Sequence, residues 1–143
     1  MVTSAVRELV RERAGRRCEY CHAPEEVTGG RYQVDHILPR SLGGGDELAN
    51  LAFGCSGCNL AKSNHVSGLD PETQEQVALF HPRKDRWVEH FAFARVTFEL
   101  RGKTAKGRAT VAQPGSCGSN WVCIREATCQ SCQGDRAYLK RHA

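Results

Sequence analysis

The chain has 143 residues, a quarter of them charged, and a formal net charge of +4. These values are typical of a soluble globular protein with one domain and at most an appendage. Charges recur throughout the N-terminal segment, and no stretch approaches the ~18 apolar residues of a membrane span. We therefore expect no signal peptide, no transmembrane segment and a cytoplasmic protein.

The first residues of the chain predict a helix. Thr3 or Ser4 can cap a first helix, and Gly15 can end it. The apolar residues at helical spacing are Val6, Leu9, Val10 and Ala14. The arginines of the other face are Arg7, Arg11, Arg13 and Arg17. That basic face could follow a phosphate backbone, although such a face is more often only solvated.

Cysteine usage predicts metal ligation. Eight cysteines in a reducing compartment favour metal ligands or free thiols over disulfides. Two CxxC pairs, Cys18 with Cys21 and Cys55 with Cys58, can supply the four sulfurs of one tetrahedral zinc site. A site with four cysteines is coordinatively closed, so the expected zinc is structural.

Between the two pairs the sequence predicts strand, loop, strand and helix. Residues 32–38 are rich in β-formers and stop before Pro39, and residues 51–53 form the second short strand. The glycine-rich residues 42–46 lack the pattern of a phosphate-binding loop and are interpreted as a connector. After Cys55 the chain turns into a helix that begins near Cys58.

Four polar residues lie within this strand, loop, strand and helix segment. An Asp35-His36 pair lies in the second half of the first predicted strand, Asn50 lies within LxNL before the second strand, and Asn59 directly follows the second CxxC. With DH, LxNL and CxxCNxxK in this order, residues 18–65 resemble the HNH, or ββα-metal, endonuclease family, in the variant with a zinc knuckle. The resemblance implies an α+β fold with a small ββα-metal core, an N-terminal helix, a structural zinc knuckle and a C-terminal extension.

The resemblance also implies roles for these residues. His36 is expected to be the general base that takes a proton from the attacking water, and Asn50 to orient that base or fix the loop backbone. Asp35 and Asn59 offer hard oxygen donors for a catalytic Mg²⁺ or Mn²⁺. Adjacent strand residues face opposite ways, so Asp35 and His36 can share a site only where the strand twists, bulges or ends.

Residues 85–112 contain further predicted helices and a strand. Residues 85–91 indicate a short helix with Trp87 and Phe91 on one face, residues 91–100 alternate like a strand, and residues 104–112 indicate another helix. We expect residues 1–100 to form the nuclease domain, with its core at 18–66, and residues 101–143 to form a basic extension. This extension is expected either to be poorly ordered or to bind a second zinc. Its cysteines are Cys117, Cys123, Cys129 and Cys132.

Positive charge is concentrated in that extension. Residues 101–143 carry eight Lys or Arg against two acidic residues, whereas residues 1–100 carry twelve against fourteen. A basic segment suits a polyanionic partner, because Lys and Arg on phosphates release condensed counterions. A solvated basic tail is the alternative interpretation. Within the core, Arg40 and Lys62 are candidates to contact phosphates.

Three functional interpretations follow. The leading one is a metal-dependent HNH endonuclease that cuts double-stranded DNA, as a single unit or as a homodimer, for example in bacterial or phage defence. The second is a zinc-knuckle nucleic-acid-binding module without catalysis, and the third is a structural zinc protein that binds other proteins. Neither alternative needs a base beside a metal site, so the four polar residues favour the enzyme.

Overall fold

The computed structural model describes residues 2–28, 31–97 and 99–114. In chain order the elements are α1 (Ser4–Arg13), α2 (Glu25–Thr28), β1 (Tyr32–His36), β2 (Leu51–Cys55), α3 (Ser56–Lys62), β3 (Ser67–Leu69), β4 (Gln76–Ala78), α4 (Trp87–His90), β5 (Phe91–Phe93), β6 (Leu100–Gly102) and α5 (Ala105–Val111). The strands form antiparallel pairs in the order β1-β2, β3-β4 and β5-β6. Helices combined with small antiparallel hairpins confirm the expected α+β class.

The predicted strand, strand and helix unit is present. β1 and β2 pair antiparallel in continuous register. β1 ends at His36, two residues before the predicted end, and β2 continues to Cys55. The sulfur of Cys55 accepts a hydrogen bond from the N–H of Cys58 and so caps α3. Because the cap of the helix is the last residue of β2, the hairpin fixes where α3 begins.

Helix α1 confirms the predicted bounds, but two of its arginines do more than the sequence suggested. The Thr3 hydroxyl caps the helix by accepting from a backbone N–H, as expected. Arg7 donates to the carbonyl of Tyr32 in β1, and Arg13 donates to the carbonyl of Leu48, 2.9 Å away. These two arginines bind α1 to residues of the hairpin and its loop. They are therefore neither free to follow a phosphate backbone nor merely solvated.

The core lies between α1, the first hairpin and the segment around α4. Val10, Phe53 and Phe91 are almost fully buried. The ring centroids of Trp87 and Phe91 lie 5.4 Å apart, which confirms the predicted contact, although α4 ends one residue before Phe91. The indole N–H of Trp87 donates to the carbonyl of Tyr20 at 2.9 Å. The segment around the first CxxC pair and α4 therefore pack into one core.

The prediction of a single strand over residues 91–100 is wrong. β5 and β6 form an antiparallel hairpin, and the sequence between them, residues 94–99, contains no Gly, Pro, Asn or Asp that would have signalled a turn. The predicted helix over 104–112 is confirmed by α5, which Thr104 caps. A Cβ on Gly107 would lie 2.1 Å from the His90 carbonyl oxygen, so glycine is needed for α5 to pack this closely.

The expected domain boundary at residue 100 falls inside β6. Arg108 of α5 forms an ion pair at 2.7 Å with Asp70, which is fully buried in the turn between β3 and β4. The Thr110 hydroxyl accepts from the N–H of Phe80 at 2.9 Å. Residues 100–111 thus pack against the preceding chain. The four cysteines of the second-zinc prediction, Cys117, Cys123, Cys129 and Cys132, lie outside the described residues. Within the described ranges, every helix is too short or too polar to cross a membrane.

Candidate functional site

The four cysteines of the two CxxC pairs converge, and all four are buried. Their sulfur atoms lie within 4.8 Å of one another. With Zn–S bonds of about 2.3 Å, a tetrahedral ion spaces its sulfurs about 3.8 Å apart. The sulfurs of Cys21 and Cys55 lie 3.8 Å apart, and backbone N–H groups point at the sulfurs of Cys18 and Cys55. The donor type, number and spacing therefore fit a structural zinc ion.

Asp35 lies on the side of β1 that faces α3 and is 7% exposed. The Tyr20 hydroxyl donates to its Oδ2 at 2.6 Å, and the Lys62 ammonium lies 3.2 Å from the same oxygen. Lys62 is equally buried and also donates to the carbonyl of His36 at 3.0 Å. The carboxylate predicted to bind a metal is thus buried between a hydroxyl and an ammonium group.

The two partners of Asp35 compensate its burial differently. Burial and the neighbouring Asp35 carboxylate raise the pKa of Tyr20 well above its ordinary value, so the phenol keeps its proton and acts as a donor. Lys62 brings a full positive charge, which a buried carboxylate needs as a partner. Lys62, which the sequence suggested as a phosphate contact, is here the ion-pair partner of Asp35.

His36 is the last residue of β1 and meets a different set of groups. Its Nε2 lies 2.7 Å from Oδ1 of Asp46, and its side chain retains 20% exposure. Arg40 donates from Nη2 to both oxygens of Asp46, at 2.6 and 2.7 Å, and its Nε lies 3.3 Å from Nε2 of His36. Hydrogen bonds from His36 and Arg40 lower the pKa of Asp46, which stays ionised. The imidazole is therefore both oriented and reachable from solvent.

Asn50 closes the loop that joins β1 to β2. Its Oδ1 accepts from the N–H of Leu38 at 2.8 Å, and its Nδ2 donates to the carbonyls of Leu38 and Gly45 at 3.0 and 2.9 Å. A Cβ on Gly44 would lie 1.7 Å from the Leu38 carbonyl oxygen, so this close backbone approach requires glycine. The contacts of the Asn50 side chain are with loop backbone.

Asn59 lies in the first half of α3, directly after Cys58. Its Nδ2 donates to Oε1 of Gln33 at 2.7 Å. Gln33 precedes Asp35 by two residues on β1 and so shares its face of the strand. Among the described residues, the structure has no hydrogen bond between Asn59 and Asp35. Asn59 of α3 therefore contacts the face of β1 that carries Asp35, but through Gln33.

The predicted residues thus divide between two environments. Asp35 and Asn59 lie on the side of α3, and the His36 side chain meets groups of the loop. Sequence reasoning missed Tyr20 and Asp46, the side chains that hold Asp35 and His36 in these environments. Tyr20 lies between Cys18 and Cys21, and Asp46 directly follows three glycines. An acidic residue beside those glycines was the one signal that the sequence offered.

Comparison with known protein families supports this grouping of residues. The family model described as HNH endonuclease matches residues 18–65, from the first cysteine of the cluster to just past α3. The match includes the clustered cysteines, both strands of the first hairpin and the loop between them. No curated protein and no solved structure matches the chain.

Proposed function

Residues 18–65 form an HNH endonuclease domain, and from that premise we propose that the protein is a metal-dependent endonuclease that hydrolyses phosphodiester bonds of double-stranded DNA. An HNH domain indicates a nuclease-type function; the cation requirement and the duplex substrate are what the proposal adds. The observation that carries it is the placement of His36, which ends a strand, pairs with Asp46 and keeps 20% of its side chain exposed. A neutral imidazole in such a place can accept a proton from water.

Zinc is structural in this proposal. Four cysteine sulfurs leave zinc no open position for a reacting water. Cys58 directly precedes Asn59, so the zinc site fixes the start of the helix that carries Asn59 and Lys62. The zinc ligands are Cys18, Cys21, Cys55 and Cys58.

The second metal is a divalent cation, Mg²⁺ or Mn²⁺, and its proposed ligands are Asp35 and Asn59. Carboxylate and amide oxygens are the hard donors that these cations prefer. The amide nitrogen of Asn59 is bonded to Gln33, which leaves its carbonyl oxygen for a cation. When bound, the cation supplies neutralisation of the charge that develops on the scissile phosphate.

Lys62 sets a condition on that site. Its ammonium lies 3.2 Å from the Asp35 carboxylate. The buried carboxylate therefore already has a positively charged partner. A divalent cation at Asp35 must therefore displace this ammonium or share the carboxylate with it. In the proposal Lys62 competes with the catalytic cation, whereas the exposed Arg40 beside the His36 ring contacts the phosphates of the substrate.

A plasmid assay tests the proposal. Zinc-loaded wild-type protein, His36→Ala and His65→Ala are incubated with supercoiled DNA in Mg²⁺, in Mn²⁺ or without added divalent cation. We expect cation-dependent nicking by the wild type and by His65→Ala, a control at an exposed histidine, and none by His36→Ala. Wild-type protein that binds the plasmid but never cuts it would instead identify the zinc-knuckle binding module.

A further inference from the structure

We propose that Asp46 is a positioning residue for His36, which fixes the ring proton on Nε2 and leaves Nδ1 as the atom that accepts a proton from water. This inference rests on the proposed function, in which His36 is the general base. It adds a residue outside the four expected to carry the site, and it names the reacting nitrogen.

The contact between the two side chains determines the tautomer. An ionised carboxylate has only acceptor atoms, and a neutral imidazole carries its hydrogen on one nitrogen only. Nε2 of His36 lies 2.7 Å from Oδ1 of Asp46, so that nitrogen is the one that bears the hydrogen. The hydrogen bond made by one ring nitrogen sets the state of the other. Nδ1 therefore keeps its lone pair.

One contact of Arg40 competes with this assignment. Its Nε is also a donor and lies 3.3 Å from Nε2, a longer distance than the 2.7 Å to Asp46. Nε2 cannot donate to Asp46 and accept from Arg40 at the same time, and the shorter contact, which is with the charged carboxylate, prevails. The main bonds of Arg40 are the two from Nη2 to the Asp46 oxygens, which hold the carboxylate in its orientation.

The loop that carries Asp46 is held by neighbouring groups. Asn50 donates to the carbonyl of Gly45, the residue directly before Asp46, at 2.9 Å. The same amide bonds to Leu38 across the loop on both its donor and its acceptor side. Asn50 thus places Asp46, and Asp46 places the His36 ring. This chain of contacts explains how an asparagine fourteen residues after the histidine acts on it without touching its ring.

Two measurements on the same proteins test the inference. Long-range ¹H–¹⁵N NMR at a pH where the ring is neutral reports which nitrogen carries hydrogen, with the His36 signals assigned from their loss in His36→Gln. Steady-state nicking kinetics give kcat and KM. The variants are Asp46→Ala, which removes the acceptor, and Asp46→Asn, which keeps its size. The matched control is Glu47→Gln, which removes the carboxylate of the exposed residue next to Asp46.

We expect the Nε2–H tautomer in the wild type and in Glu47→Gln, and a shift towards Nδ1–H in Asp46→Ala. The kcat of Asp46→Ala should fall with little change in KM, by about 10- to 100-fold if Asp46 acts on this base as orienting carboxylates act on metal-bound histidines. Asp46→Asn should lie between the two, because its amide oxygen still accepts without a charge. A merely structural salt bridge with Arg40 would leave the tautomer unchanged.

Opposite results separate this inference from the proposed function. A wild-type ring protonated on Nδ1, or an Asp46→Ala protein that cleaves at the wild-type rate, overturns the role of Asp46 while the nuclease stands. A wild type with the Nε2–H tautomer and no cleavage in any divalent cation overturns the nuclease, and the positioning role with it.

Discussion

Asp35 and His36 are neighbours in the chain, yet their side chains occupy contrasting environments. Asp35 is 7% exposed and bonded to a phenol and an ammonium, whereas the His36 ring is 20% exposed in a network with Asp46 and Arg40. The alternation of a strand produces this division, and His36 is the last residue before the strand ends. One dipeptide thus supplies a buried anion on one side and an accessible base on the other. Substitutions on the buried side should therefore change stability most, and those on the exposed side should change cleavage.

The largest effect is expected from the proposed zinc site, because its cysteines flank the start of α3, the helix that carries Lys62 to Asp35. Zinc binding contributes about 10–16 kcal/mol in small zinc domains, as much as the whole stability of an ordinary domain. Cys58→Ser should therefore lose bound zinc and its cooperative unfolding transition, measured by metal analysis and circular dichroism. Leu60→Ala, at a 77% exposed position of the same helix, should keep both. A zinc-free Cys58→Ser protein with the wild-type spectrum would contradict this dependence.

Lys62→Met should give the next largest loss. Removing one partner of a buried ion pair leaves an uncompensated charge and costs about 3–5 kcal/mol. The loss is measured as the difference between the free energies of unfolding of the variant and the wild type in urea. Lys84→Met, at an exposed position, should stay within about 0.5 kcal/mol of wild type. Equal losses in the two variants would show that the ammonium beside Asp35 stabilises nothing.

The same variant tests whether Asp35 takes a cation. A ligand at 100 times its Kd stabilises the folded state by about 2.7 kcal/mol. Mg²⁺ should therefore raise the unfolding free energy of Lys62→Met, and raise it more than that of the wild type, where Lys62 occupies the carboxylate. A Mg²⁺ effect no larger in the variant than in the wild type would argue that Asp35 is not a metal ligand.

Two tyrosines allow a smaller, matched comparison. Tyr20 donates to the Asp35 carboxylate at 2.6 Å, and Tyr32, equally buried, donates to the neutral carbonyl of Ala23 at 2.7 Å. Hydrogen bonds to charged groups contribute about 1.5–3 kcal/mol, and neutral ones about 1 kcal/mol. Tyr20→Phe should thus lose more stability in urea than Tyr32→Phe. The reverse order would mean that Asp35 does not depend on this phenol.

Local chemistry determines most of what the sequence predicted correctly. Thr3 caps α1, Thr104 caps α5, and the two CxxC pairs meet because their spacing suits one tetrahedral ion. Each of these features depends on residues close in the chain or on a strong preference for a metal. The family resemblance over residues 18–65 rests on the same kind of local pattern.

The parts that sequence reasoning missed depend on how the chain closes in space. Lys62 was interpreted as a candidate phosphate contact because its helix neighbours do not indicate that it lies over Asp35. Asp46 meets His36 only because Asn50 folds the intervening loop back on itself. The sequence between β5 and β6, residues 94–99, lacks the usual turn residues, so alternation alone predicted one strand.

Single-turnover cleavage of a labelled duplex, measured beside binding of the same duplex, tests the role of His36 most directly. Zinc-loaded wild type and His36→Ala should bind alike, because the substitution removes no positive charge when the ring is neutral. The cleavage rate in Mg²⁺ should fall about 10²- to 10⁴-fold with the loss of the base. If His36→Ala cleaves at the wild-type rate, or if the wild type binds without ever cleaving, the accessible imidazole is not the base of a nuclease.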